Sequence, residues 1–181
     1  MDLIELIPLL SLVIMLFIAT FYDIRSHRIP NWLTFPAMAT GLAFYTYTKG
    51  IPGLISSIEG LFLGIALFMP FYLAAGMGAG DVKLMGAVGG FLGMKGVFIA
   101  SLGTALIGGI YAMILLAFHG YLMETLKRYG AILKIFVLTG RFTYLPPEKK
   151  EKMPILAYGV AIALGTLFSV ARVVVMEKWQ L

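Results

Sequence analysis

Two aspartates, Asp23 and Asp81, are the residues of this 181-residue chain whose type and setting suit them to chemistry. Asp23 follows twenty largely apolar residues and opens the stretch "DIRSHRIPN". Asp81 closes "GAGD", Gly78 to Asp81, between two apolar segments. A carboxylate at such a place is expensive to keep, so it needs a reason. Two carboxylates on one side of a membrane can share a proton and hold a water. One then acts as general base on the water, while the other, protonated, polarises a scissile carbonyl and later protonates the leaving amine. That chemistry uses no metal and no thiol. The chain has no cysteine, which removes disulfides, thiolate metal sites and a cysteine nucleophile.

Each acidic residue also has a competing role. Aspartate is a favoured N-cap, and Asp81 precedes a helix expected to start at Val82. Asp23 sits at a helix C-terminus, the wrong end of the macrodipole for a stabilising cap, though Arg25 or Arg28 offers a pairing partner. Glu59 falls inside an apolar segment and reads as structural or partner-facing. Asp23 and His27 are spaced for metal binding, but two ligands without a third make a poor site, so no metal is expected. Ser26 and His27 face different directions on any helix, which argues against a serine triad. His119, at the end of a span, reads as interfacial.

The elements that must position these residues are membrane helices. The composition is 60% hydrophobic and 13% charged, with a mean hydropathy of +0.94; soluble domains carry about 25% charged residues. The expected fold is an all-α polytopic membrane protein forming a single membrane-embedded domain over residues 1–181. The N-terminus lacks the basic start and small-residue cleavage site of a signal peptide, so the first segment is expected to be retained. Against the roughly 20 residues needed to cross a bilayer, six spans are expected at about 3–22, 32–47, 54–75, 82–93, 97–118 and 154–176. The run from Val82 to Phe118 would be about 55 Å long as one helix. It must fold back, and "GMKG", Gly93 to Gly96, is the natural break.

Charge sets the sidedness. With six spans and the N-terminus outside, the cytoplasmic loops hold Arg25, Arg28, Lys83, Lys127, Arg128, Lys134, Arg141, Lys149, Lys150 and Lys152. The other side holds Lys49, Lys95 and Lys178, and Arg172 lies within the last span. Ten against three is a positive-inside bias, and a re-entrant fourth segment would send seven of the ten outside. Two crossings separate Asp23 from Asp81, so both face the cytoplasm, and Glu59 lies nearer the outer face. In the cytoplasmic loop 119–153, Leu122, Leu126, Tyr129, Leu133 and Phe136 recur at helical spacing with Lys127, Arg128 and Lys134 between them. This reads as an amphipathic helix on the inner bilayer surface, followed by the solvated linker "PPEKKEK". The net charge of +5 is accounted for by topology, and no nucleic-acid motif is present.

"YDIRSHRIPNWLT" (Tyr22 to Thr34) and "GMGAGDVKLMGAVGGFLG" (Gly76 to Gly93) together resemble the type IV prepilin peptidase family, and "MPILAYG" (Met153 to Gly159) is similar to its last-helix region. The resemblance implies an aspartic endopeptidase of the cytoplasmic membrane, active without a cofactor, that removes the short basic leader from prepilin-like proteins. Cleavage typically follows a glycine and precedes the pilin's hydrophobic helix. It carries the catalytic pair onto Asp23 and Asp81, with Gly78 and Gly80 completing the GxGD motif and Pro30, Asn31 and Lys83 as supporting residues. Glycines there would let a substrate backbone approach closely. Longer family members carry a cysteine-containing insertion and methylate the new N-terminus. This chain has neither cysteine nor insertion, so it resembles the short forms serving tight-adherence (Flp) pili or archaeal preflagellins, and methyltransferase activity is not expected. Two rival readings are a presenilin-like intramembrane protease and a small proton-coupled transporter with Asp23 and Asp81 as relay groups. The first would carry mid-span aspartates and a Pro-Ala-Leu motif, the second inverted repeats or mid-membrane ionisable groups.

Overall fold

Among the described residues, largely apolar segments build five helices. They are α1 (Leu3–Ser26), α2 (Asn31–Leu73), α3 (Ala79–Phe118), α4 (Leu122–Thr139) and α5 (Tyr158–Trp179). The computed structural model describes residues 3–74, 76–140 and 156–179, and contains no strand among them. Three stretches, Leu6–Ser26, Asn31–Leu73 and Ala79–Phe118, are long and apolar enough to cross a membrane; the apolar part of α5, Tyr158–Arg172, is shorter. Large apolar side chains such as Phe17, Phe62 and Leu106 lie exposed on the helix surfaces. Lipid is as apolar as they are, so nothing drives them inward. The chain is an all-α membrane protein.

Two of the helices are interrupted by a glycine in a left-handed conformation, Gly50 (φ 61°) in α2 and Gly93 (φ 66°) in α3. An L-residue adopts that conformation only under strain, whereas glycine adopts it freely. Contacts reveal what the interruptions do. Gly41 packs on the backbone of Gly90, and the Ser57 hydroxyl donates to the Gly90 carbonyl at 2.5 Å. In an unbroken helix residues 41 and 57 would lie about 24 Å apart. The chain therefore doubles back at Gly50, and Pro52 falls in the first turn of the returning half, where proline is tolerated. The same logic applies to α3. Gly80 packs on Ile29, just beyond α1, while Gly108 packs beside Ala161 and Tyr158, at the end of α5 that meets Thr20. Residues 80 and 108 would be about 42 Å apart in a straight helix. The chain turns back at Gly93.

By contacts the chain forms two compact units, Met1–Gly108 with Ala157–Leu181, and Gly109–Leu156. In the first, the returning half of α2 runs antiparallel to the opening half of α3: Gly60 lies on Gly89 and Gly64 on Met85. α5 runs antiparallel to the later half of α3, with Ser169 donating to the Gly96 carbonyl at 2.9 Å and Gly165 against Gly103. Without a hydrophobic drive between helices in lipid, close backbone approach and interhelical hydrogen bonds supply the attraction. Leu12, Leu84, Met85, Val88 and Ile162 fill the core. In the second unit α4 ends in a left-handed Gly140 whose N–H returns to the Phe136 carbonyl. Met123, Leu126, Tyr129 and Phe136 are exposed along it, as are Lys127 and Lys134. The linker Pro146–Lys152, the rest of the expected loop from 141 and the start of the sixth span at Pro154 lie outside the described residues.

Candidate active site

Asp23 lies in the last turns of α1, where the helix is closed by His27. That residue takes a left-handed conformation (φ 50°), and its N–H donates to the Asp23 carbonyl at 2.8 Å. The chain then passes through Pro30, whose extended conformation (ψ 144°) and carbonyl start α2 by accepting from the N–H groups of Leu33 and Thr34. The "RIPN" stretch thus joins α1 to α2 in a short turn, and Ile29 within it is buried.

Asp81 sits in the first turn of α3, which begins at Ala79 and not at Val82. Asp81 is therefore not the N-cap that the sequence suggested. It is the third residue of the helix, and it reaches back instead. The Gly78 N–H donates to Asp81 Oδ2 at 3.0 Å while the Asp81 N–H donates to the Gly78 carbonyl at 3.1 Å. This reciprocal pair satisfies amides that a helix start leaves open, in the manner of a capping box. Gly80 turns its bare face to Ile29: a Cβ there would lie 3.0 Å from the Ile29 side chain and 3.2 Å from its backbone. The missing side chain lets the head of α3 rest on the RIPN turn. Lys83, one turn on, donates to Asn31 Oδ1 at 2.8 Å and lies 5.1 Å from the centre of the Phe35 ring. Pro30, Asn31, Gly78, Gly80, Asp81 and Lys83 are in this way joined around one helix junction.

Asp23 and Asp81 come together there. Both are buried, at 4% and 6% exposure, and they are the only buried carboxylates among the described residues. The charge of Asp23 reaches Asp81. Each also has one oxygen fixed by a backbone N–H: Asp23 Oδ2 accepts from Gly159 at 2.7 Å, and Asp81 Oδ2 from Gly78. Asp81 Oδ1 is buried without a hydrogen-bond partner. A buried carboxylate oxygen in that state is costly unless a shared proton, a water or a donor on a bound molecule satisfies it. The arrangement can hold one proton between two acids and activate a water beside them.

Other candidates stay apart. Glu59 is exposed, next to Gly60, which packs on Gly89; eight residues of helix, about 12 Å, separate that level from Asp81. His27 lies near enough for its charge to reach Asp23, and no group of three His, Cys, Asp or Glu side chains converges among the described residues. Gly159 is the residue that sequence reasoning left out of the site. It stood inside "MPILAYG", but its contribution is a backbone N–H, which every residue except proline owns.

A membrane protein with two buried aspartates at facing helix ends defines a class, and comparison with known proteins narrows it. Residues 10–113 match the type IV leader peptidase family, and the chain belongs to that family. Over 108 residues it is 33% identical to a prepilin leader peptidase/N-methyltransferase of Aeromonas salmonicida, covering 55% of this chain and 37% of that protein. A protein of the same description from Xanthomonas campestris is 32% identical over 119 residues, 62% of this chain and 42% of its own length. One from Neisseria gonorrhoeae is 28% identical over 102 residues, 53% and 36% respectively. The chain thus spans well under half the length of these curated relatives. No solved structure matches it at the same stringency.

Proposed function

We propose that this chain is a membrane-embedded aspartic endopeptidase. It removes the basic leader from type IV prepilin-like precursors, of the Flp-pilin or preflagellin kind, at the cytoplasmic face of the inner membrane. The observation that carries this reading is the buried pair: two carboxylates from separate helices, each with one oxygen anchored by a backbone N–H and one of them with its second oxygen unpartnered. Membership in the family and the descriptions of the relatives support the substrate class.

The chemistry follows from the pair. The ionised aspartate takes a proton from a water, whose oxygen adds to the scissile carbonyl carbon while the protonated partner donates a hydrogen bond to the carbonyl oxygen. The tetrahedral intermediate collapses as the amine nitrogen takes a proton from the pair and the C–N bond breaks. One proton remains between the carboxyls, as at the start. Neither a metal nor a cofactor is needed for this sequence. Gly78, exposed beside Asp81, leaves room for an extended substrate backbone, and the excess of Lys and Arg in the loops on the side of the two aspartates, counted for six spans with the N-terminus outside, supports a cytoplasmic site.

The test is direct. Purified protein incubated with a prepilin should yield the shortened product, and Asp23→Asn and Asp81→Asn should each abolish it while still inserting in the membrane. Glu59→Gln should cut within about twofold of wild type, since it removes no interaction with the reacting groups. A proton-coupled transporter would instead leave the prepilin intact, and near wild-type cleavage by either aspartate variant would refute the dyad.

A further inference from the structure

We propose that Gly159 is a positioning residue for Asp23: its backbone N–H holds the carboxylate, and only glycine fits there. This rests on reading Asp23 as one of the catalytic pair. It makes α5, which lies beyond the residues matched by the family, part of the site.

Three features of the structure converge. The Gly159 N–H donates to Asp23 Oδ2 at 2.7 Å, a buried bond joining residues 136 positions apart. A Cβ on Gly159 would stand 2.9 Å from that same oxygen and 3.0 Å from the Asp23 Cβ, so the group that must give way is the Asp23 carboxylate itself. The other face of the residue is held as well, for the Thr20 hydroxyl donates to the Gly159 carbonyl at 3.4 Å. Thr20 and Asp23, three apart on one face of α1, thus grip Gly159 from both sides. A helix-packing glycine needs only space. Here the space is filled by the carboxylate that the glycine's own amide binds.

The physical role follows from how aspartate moves. Its terminal torsion is soft and roughly two-fold, so a free carboxylate swings widely. Anchoring Oδ2 fixes the plane of the group and leaves the second oxygen to act. Asp81 obtains the same restraint locally, from Gly78 in its own helix cap. Asp23 is at a helix C-terminus, where no free amides are at hand, and the head of α5 provides one. Gly165 against Gly103 and Ser169 against Gly96 seat α5 on α3, which keeps the donor in place.

Two readouts on the full chain test this, one of them independent of peptidase activity. Labelling with 13C-carbonyl tyrosine and 15N-glycine leaves two amides visible through Tyr–Gly bonds, Gly130 and Gly159. Asp23→Ala should move the Gly159 amide proton upfield and leave Gly130 unmoved. On a prepilin substrate, Gly159→Ala should lose about 10²-fold in kcat, as expected for a misplaced catalytic group, with KM within about twofold of wild type. Gly109→Ala, a glycine with open space around it, should leave both unchanged. Wild-type kcat in Gly159→Ala, a loss carried wholly by KM, or a Gly159 amide indifferent to Asp23→Ala would each overturn the proposal. Should wild-type protein cut no prepilin, the peptidase reading falls, and the amide resonance alone decides whether Gly159 holds Asp23.

Discussion

Asp81 divides its two carboxylate oxygens between holding the fold and the proposed chemistry, since Oδ2 takes the Gly78 N–H and Oδ1 is buried without a partner. Capping and catalysis, which the sequence offered as competing roles, are compatible on one side chain. The two can be separated by choice of substitution. Asp81→Asn keeps an oxygen to accept from Gly78 and should lose cleavage while unfolding at nearly the wild-type temperature. Asp81→Ala removes the acceptor too and should cost a further 0.5–2 kcal/mol or so, the usual worth of a helix cap. Thermal unfolding in detergent, followed by circular dichroism, measures the difference. Equal stability of the Asn and Ala variants would mean that the cap bond contributes nothing.

At the scale of elements, glycines decide how closely the helices approach. A Cβ on Gly89 would fall on the Gly60 carbonyl, and one on Gly60 would fall on the Gly89 carbonyl. Both obstacles are backbone, which cannot rotate away, so the two helix halves would have to part. Gly89→Ala should therefore destabilise by about 1–3 kcal/mol, the range for overpacking. Gly109 also sits in α3, but a Cβ there would meet nothing within 4 Å. Gly109→Ala should stabilise by up to about 1 kcal/mol through helix propensity alone. Opposite signs for the same chemical change in the same helix are the expected outcome, read from unfolding midpoints. The reversals at Gly50 and Gly93 work differently: what they require of glycine is a backbone conformation, not space.

For the whole molecule the testable quantity is sidedness. The proposed six-span topology, argued from the distribution of Lys and Arg, predicts that both aspartates and residues 148–152 face the cytoplasm. A tag inserted between Glu148 and Lys152 should be reached by impermeant reagents only after the cells are opened, and a C-terminal tag should be reached from outside. Both tags on one side would break the topology and the charge argument with it.

What the sequence determined by itself was whatever depends on local solvation and local chemistry. The apolar runs and the scarcity of charge specified membrane helices because each segment meets lipid on its own account. "DIRSHRIPN" and "GAGD" marked the two carboxylates because an acid beside a span is costly wherever it sits. The break at "GMKG" was legible as length alone, one run too long for one bilayer. The tertiary structure decided the rest. The head of α3 lies at Ala79 rather than Val82 because Gly78 and the Asp81 side chain close the cap between them, a geometry that propensity does not encode. Gly80 proved to be a seat for Ile29 because the RIPN turn lands there. Gly159 binds Asp23 through a backbone amide, a group carried by nearly every residue and so without any signature in the sequence; only the folding of α5 against α1 shows which amide it is.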